Sequence, residues 1–375
     1  MNRNFAVIVI AIAVSLAACA GIGSAQETRH PDLPDAKAMY KTLPNHVELA
    51  PEAGSGSLVQ WNGSYVDLTK KTINYTQIGT DPHTTNTTTT IPVYIIPVKM
   101  VYPKATGGAT FDPKNKVLSN GKTVINNILA SPLFVSGVDF TQGGTDLGTT
   151  QYEDAFQRGN YWSVVSTNSN YHVLLGKPTV LPEKTITISN SFQGHVYNNP
   201  FGSGIIGTYG INAFDAQIQT WMKSIKQINP AALPIFITYD VYLTGGGIGL
   251  SNCCIGGYHS ANGPQPGGQT YSVATYVDSP GAFSQDVSAL SHELGEWMDD
   301  PFVDNAVNCT DNSIMEVGDP LEGTSNYGGY PYTLGGFTYN LQSLVFLGYF
   351  GASPATSVNS WLAFQNDESH VCPGQ

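Results

Sequence analysis

Apolar positions between residues 286 and 299 recur with a helical period. Val287, Leu290, Leu294 and Trp297 follow one another at spacings of three, four and three residues, which is one stripe of an α-helix. The spacing predicts a helix over residues 284–299. Ser284 and Asp286 supply cap-type and acidic residues at its start, and Asp299-Asp300-Pro301 ends it, because the residue before a proline avoids the helical region. Strands over residues 234–243 and 270–277 lead into this helix, and further helical patterns lie near 121–131, 150–161 and 214–228. Residues 91–102 alternate as a strand, interrupted by Pro97, which favours an edge position or a bulge. Upstream of residue 91 the pattern weakens: residues 26–85 are polar and Pro-containing, and residues 84–90 form a Thr-rich, linker-like run. The expected organisation is an α+β domain over residues 91–375 preceded by a polar segment over 26–90, either a lead-in or a propeptide-like element.

The first 25 residues read as a leader. Arg3 precedes an apolar run from Phe5 to Ala18, and small residues ending Gly23-Ser24-Ala25 predict cleavage before Gln26. Leu16-Ala17-Ala18-Cys19 also fits a lipobox, in which case Cys19 becomes the lipidated first residue of a membrane-anchored protein. No later stretch reaches transmembrane length. The chain is expected outside the cytoplasm, extracellular, periplasmic or lipid-anchored. Only 12% of its 375 residues are charged and the net charge is −12, which argues against nucleic acid and anionic membrane surfaces as partners.

The predicted helix carries His292-Glu293-Leu294-Gly295-Glu296 opposite its apolar stripe. Positions i and i+4 share a helix face, so His292 and Glu296 can hold one cation, with Glu293 beside them as a base. Eight His and ten Glu in 375 residues make one chance match of this pattern about 8 × (10/375)², or roughly 0.006. A catalytic zinc needs a third ligand, and Glu316 in Ser313-Ile314-Met315-Glu316-Val317-Gly318-Asp319-Pro320 is the candidate, with Asp319 as competitor or as the group that orients a ligand. A carboxylate in place of the second His lowers Lewis acidity and weakens the preference for Zn2+ over harder divalent ions. Zn2+ remains the expected ion.

These residues resemble zincin-related proteins grouped with the plant Exordium or phosphate-induced proteins, and secreted bacterial proteins carrying Ser-His-Glu-Leu-x-Glu and Glu-Val-Gly-Asp-Pro-Leu. The resemblance covers about residues 235–350 and includes Gly257-Tyr258-His259-Ser260. It implies a zincin-like sheet with a backing helix and an active-site helix. It also implies a metal-dependent hydrolase, a zinc metallopeptidase or close relative acting on a peptide or protein. His292, Glu296 and Glu316 or Asp319 would be ligands and Glu293 the general base. The alternative is a non-catalytic extracellular or wall-associated protein with a structural metal.

Beyond the leader four cysteines remain, Cys253, Cys254, Cys309 and Cys372, and an even count in an exported chain predicts two disulfides. Each of the adjacent pair is expected to bridge to Cys309 or Cys372, since bridging each other needs a strained ring. His259 reads as a structural histidine next to a Gly-rich loop over residues 245–257.

Overall fold

The computed structural model describes residues 30–33, 35–47, 56–245, 253–309 and 313–372. The leader, its cleavage position and Cys19 lie outside these residues, as does most of the Gly-rich loop.

A mixed sheet forms the centre. Its main strands are β1 (Val93–Tyr102), β2 (Lys184–Thr187), β3 (Leu233–Tyr239), β4 (Gly257–Asn262) and β5 (Gln269–Tyr276), in spatial order β2-β1-β3-β5-β4. The first four in that order run parallel, and β4 is antiparallel at the edge. Every residue of β3 and β5 is buried, as in strands covered on both faces, although β5 includes the polar Gln269, Thr270, Ser272 and Thr275. The covering helices are α1 (Tyr152–Asn160), α2 (Ile211–Ser224) and α3 (Ser288–Asp299). The molecule is α+β, and among the described residues no helix is long and apolar enough to cross a membrane.

Several expectations need correction. Pro97 lies inside an unbroken ten-residue strand with partners on both sides. On one side Tyr94 and Ile95 pair with the short strand Thr179–Val180, and Val98 to Val101 pair with β2, so Pro97 sits where the partner changes and its missing N–H breaks no ladder. The Thr-rich run is no linker either: Thr88–Ile91 is a strand paired in parallel with His172–Leu175. Residues 60–78 form the antiparallel hairpin Gln60–Val66 and Thr72–Ile78. It is fastened to the chain after α3 by Asn305, whose side chain bonds both the N–H and the C=O of Thr76 at 2.8 Å.

Helix α3 starts at Ser288, later than the spacing suggested, because Ser284 and Asp286 both take left-handed backbone conformations. Asp286 instead accepts from Val287 N (2.5 Å) and Asn340 N (2.9 Å), tying the helix start to the hairpin Gly329–Leu334 and Phe337–Gln342. All twelve residues of α3 are buried, its polar side included. Trp297 holds the apolar stripe to the sheet by donating to Thr270 Oγ1 on β5 at 2.9 Å.

The cysteines pair differently from expectation. Cys253 bridges its neighbour Cys254, and Cys309 bridges Cys372 across 63 residues. The first pair lies on the short strand Cys253–Ile255, whose carbonyls accept from Lys37 N (2.7 Å) and Met39 N (3.0 Å); Cys309 is left to the C-terminal cysteine.

Candidate metal centre

His292, Glu293 and Glu296 project from α3 toward two other segments, strand β4 and the turn at residues 316–319. His292 Nε2 is 3.0 Å from Glu296 Oε1 and 3.6 Å from Asp319 Oδ1. His259 enters from β4, its Nδ1 3.5 Å from Glu293 Oε2, 3.7 Å from Glu296 Oε2 and 3.9 Å from Glu316 Oε2. The two oxygens of Glu296 thus face different histidines. Of the expected ligands, Asp319 joins His292 and Glu296, whereas Glu316 lies on the His259 side. His259, read from sequence as structural, stands among the carboxylates; its signal was the Gly-aromatic-His segment. Of the tyrosines that follow the turn, Tyr332 donates to Asp139 O at 2.9 Å and Tyr339 to Asn127 Oδ1 at 3.4 Å, both away from the cluster.

Close packing requires glycine at two points. A Cβ on Gly318 would lie 2.3 Å from His292 Nδ1, and one on Gly257 would lie 2.6 Å from Glu293 Oε1 and 2.8 Å from the Val273 carbonyl. Absence of these side chains lets the turn approach the first imidazole and β4 approach the helix. Glu296 Oε1 also accepts from Gly318 N (3.1 Å) and Asp319 N (3.2 Å), which fixes the turn against the helix.

The hydrogen bonds behind the histidines decide their tautomers. His259 Nε2 donates to the Asp300 carbonyl at 3.0 Å, leaving the Nδ1 lone pair aimed at three carboxylates. Gln342 Nε2 donates to Gly318 O at 3.2 Å, so its Oε1 accepts from His292 Nδ1 at 2.9 Å and the Nε2 lone pair points inward. Lone pairs and carboxylate oxygens then face one another, and only an added proton or cation can join them. His292 Nε2, Glu293 Oε1 and both oxygens of Glu316 are buried without a hydrogen-bond partner. A protein accommodates such an array with protons or with cations.

The electrostatics match. Burial, reinforced by the neighbouring carboxylates, pushes Glu293, Glu296 and Glu316 far above the ordinary glutamate range. Burial pushes His259 down to about 4. For His292 burial also opposes protonation, but the adjacent Asp319 and Glu293 carboxylates outweigh it and raise the pKa. At 4 Å two like charges repel by about 4 kcal/mol with an effective dielectric of 20, so four carboxylates cannot stay ionised here unless positive charge lies among them.

The cluster is enclosed. Residues 37–46 run along the outer edge of Cys253–Ile255 and β4, with bridges at Met39 to Ile255 and His46 to Asn262. Between those clips Tyr40 lies face to face with the His292 ring, centroids 3.6 Å apart, and its N–H donates to Glu322 Oε1 at 3.0 Å. Asp319 is the most exposed ligand candidate, with 29% of its side chain accessible against at most 4% for the others.

Comparisons with protein-family models, curated proteins and solved structures found no match for this chain.

Proposed function

We propose that the protein is an exported metal-dependent hydrolase, a zinc metallopeptidase or a close relative, built on a zincin-like arrangement of sheet and site helix. The observation that carries the reading is the pair of buried histidines whose outer ring nitrogens are committed to protein acceptors while their inner nitrogens face carboxylate oxygens. His292, Glu296 and Asp319 offer one nitrogen and two oxygen donors at mutual distances suited to a divalent ion. Such an ion supplies Lewis acidity and makes water a stronger acid. The carboxylate-rich donor set lets manganese compete with zinc.

The protein's own groups carry the rest. Glu293 keeps Oε1 unpartnered beside His292 and takes the proton from the attacking water, then delivers it to the leaving amine. Gln342 holds the His292 ring in its tautomer, and the backbone of Gly318 and Asp319 orients Glu296. Strand β4, antiparallel at the sheet edge, is the element along which an extended peptide would pair. A non-catalytic protein with a structural ion is the second reading, favoured by the enclosure under Tyr40. Metal analysis of purified protein together with a peptide-library assay separates them. Bound metal with cleavage is expected; bound metal with no cleavage under any condition that frees residues 37–46 rejects the hydrolase.

A further inference from the structure

We propose that the cluster is a two-cation centre in which Glu296 is shared: one divalent ion is held by His292, Glu296 and Asp319, and a second by His259, Glu293, Glu296 and Glu316. The inference rests on the metal-site reading above and deepens it.

Two ligand groups occur, His292 with Glu296 and Asp319 and His259 with Glu293 and Glu296, each with donor atoms within 4.8 Å of one another; Glu296 belongs to both, and Glu316 Oε2 stands 3.9 Å from His259 Nδ1 beside the second. Its Oε1 faces His292 and its Oε2 faces His259, the disposition of a bridging carboxylate. The second group is no by-product of the first. His259 comes from a different strand, has its own carbonyl partner fixing the tautomer, and is 1% exposed. Its distances to three carboxylate oxygens, 3.5, 3.7 and 3.9 Å, exceed hydrogen bonds. They fit the separation of about 3.4 Å between ligands that each bind one ion at about 2.1 Å in tetrahedral geometry. Glu316 is buried, and its Oε2 lies on the His259 side with the oxygens of Glu293 and Glu296.

Charge gives the same count. With both imidazoles neutral, Glu293, Glu296, Glu316 and Asp319 bring four negative charges to one enclosed place. One divalent ion leaves two uncompensated, and two ions leave none. The occupants are divalent ions that accept mixed nitrogen and oxygen donors, zinc or manganese. Glu293 serves both roles, with Oε2 toward the second ion and Oε1 left for the proton.

The test is stoichiometric. Full-length protein is stripped with a chelator, reloaded with Zn2+ or Mn2+, freed of excess ion and measured by plasma mass spectrometry. Wild type should hold two ions per chain, and His259→Ala and Asp319→Ala one each. Mn2+-loaded wild type should also show the electron paramagnetic resonance of a coupled pair, replaced in either variant by an isolated-ion spectrum. Saturation of wild type at one ion or none overturns the proposal, as does His259→Ala retaining two. If a variant does not fold, wild-type stoichiometry and spectrum decide alone. One ion with hydrolysis removes the second site and leaves the hydrolase standing; two ions without hydrolysis support the pair and reject the hydrolase.

Discussion

Tyr258 and His259 are neighbours on β4 and point to opposite faces of the sheet, where each meets buried acid. On the α2 side Asp215 accepts from Tyr271 Oη (2.6 Å), Tyr258 Oη (3.1 Å) and His46 Nε2 (2.9 Å), so every donor in reach converges on one carboxylate. On the α3 side several carboxylates surround each histidine, and the ring N–H groups are turned away from them to Asp300 O and Gln342 Oε1. Burial alone therefore does not separate a structural acid from a ligand. The direction of the surrounding N–H and O–H groups does.

The contrast can be broken at its strongest point. Glu293→Gln keeps an oxygen toward the ions and removes the proton acceptor, so bound metal should stay while hydrolysis falls about a hundredfold to ten-thousandfold. Elemental analysis and a peptide assay on one preparation check both halves; undiminished cleavage would sink the assigned role. Next in size is Asp215→Ala, which strands the hydroxyls of Tyr258 and Tyr271 and should cost on the order of 3 kcal/mol in denaturant unfolding while leaving the ion content unchanged. Loss of metal from a folded Asp215→Ala protein would erase the distinction between the two faces.

Smaller effects sharpen the same comparison. Gly318→Ala forces a Cβ into the His292 ring and should weaken metal affinity about tenfold to a hundredfold, read by competition with a chromogenic chelator. The pH dependence of stability should flatten with metal. In stripped protein the folded-state pKa values of Glu293, Glu296 and Glu316 lie above the ordinary 4.5, so the native state binds more protons than the unfolded chain. Stability is then fully present below about pH 4.5 and falls as pH rises toward those folded values. Bound cations depress the same pKa values below the ordinary one, so in loaded protein these groups are ionised in both states over that range and the fall should be absent. Thermal melts of both forms between pH 4.5 and 8 test this, and parallel profiles would argue against ions among these carboxylates.

Much of the helix was legible because its apolar spacing is local: Leu290, Leu294 and Trp297 are buried on α3, and Val287 is buried immediately before it. The juxtaposition of His292 with Glu296 followed from the same period. What spacing could not show is which segments fold back onto that face. His259 is 33 positions upstream of His292 and reaches it only because β4 doubles back on β5. The choice between Glu316 and Asp319 depends on a turn whose contact with His292 is permitted by a glycine, and the result divides the two acids between two histidines. The helix starts later than the spacing predicts because Ser284 and Asp286, good capping residues by type, adopt left-handed conformations, and Asp286 bonds to the hairpin. Pro97 misled because a strand's partner can change along its length.

The position of Tyr40 turns the segment at residues 37–46 into a gate with a measurable frequency. No molecule can stack on or approach the covered face of His292 until that ring leaves, and the ring is carried between two backbone clips, at Met39 and at His46. Amide hydrogen exchange at Met39 and His46 and the accessible lifetime of the site therefore report one opening equilibrium. The same segment satisfies the outer edge of β4, so on the hydrolase reading a peptide substrate would have to compete with the chain's own residues for those backbone groups, and turnover would be bounded by how often they let go.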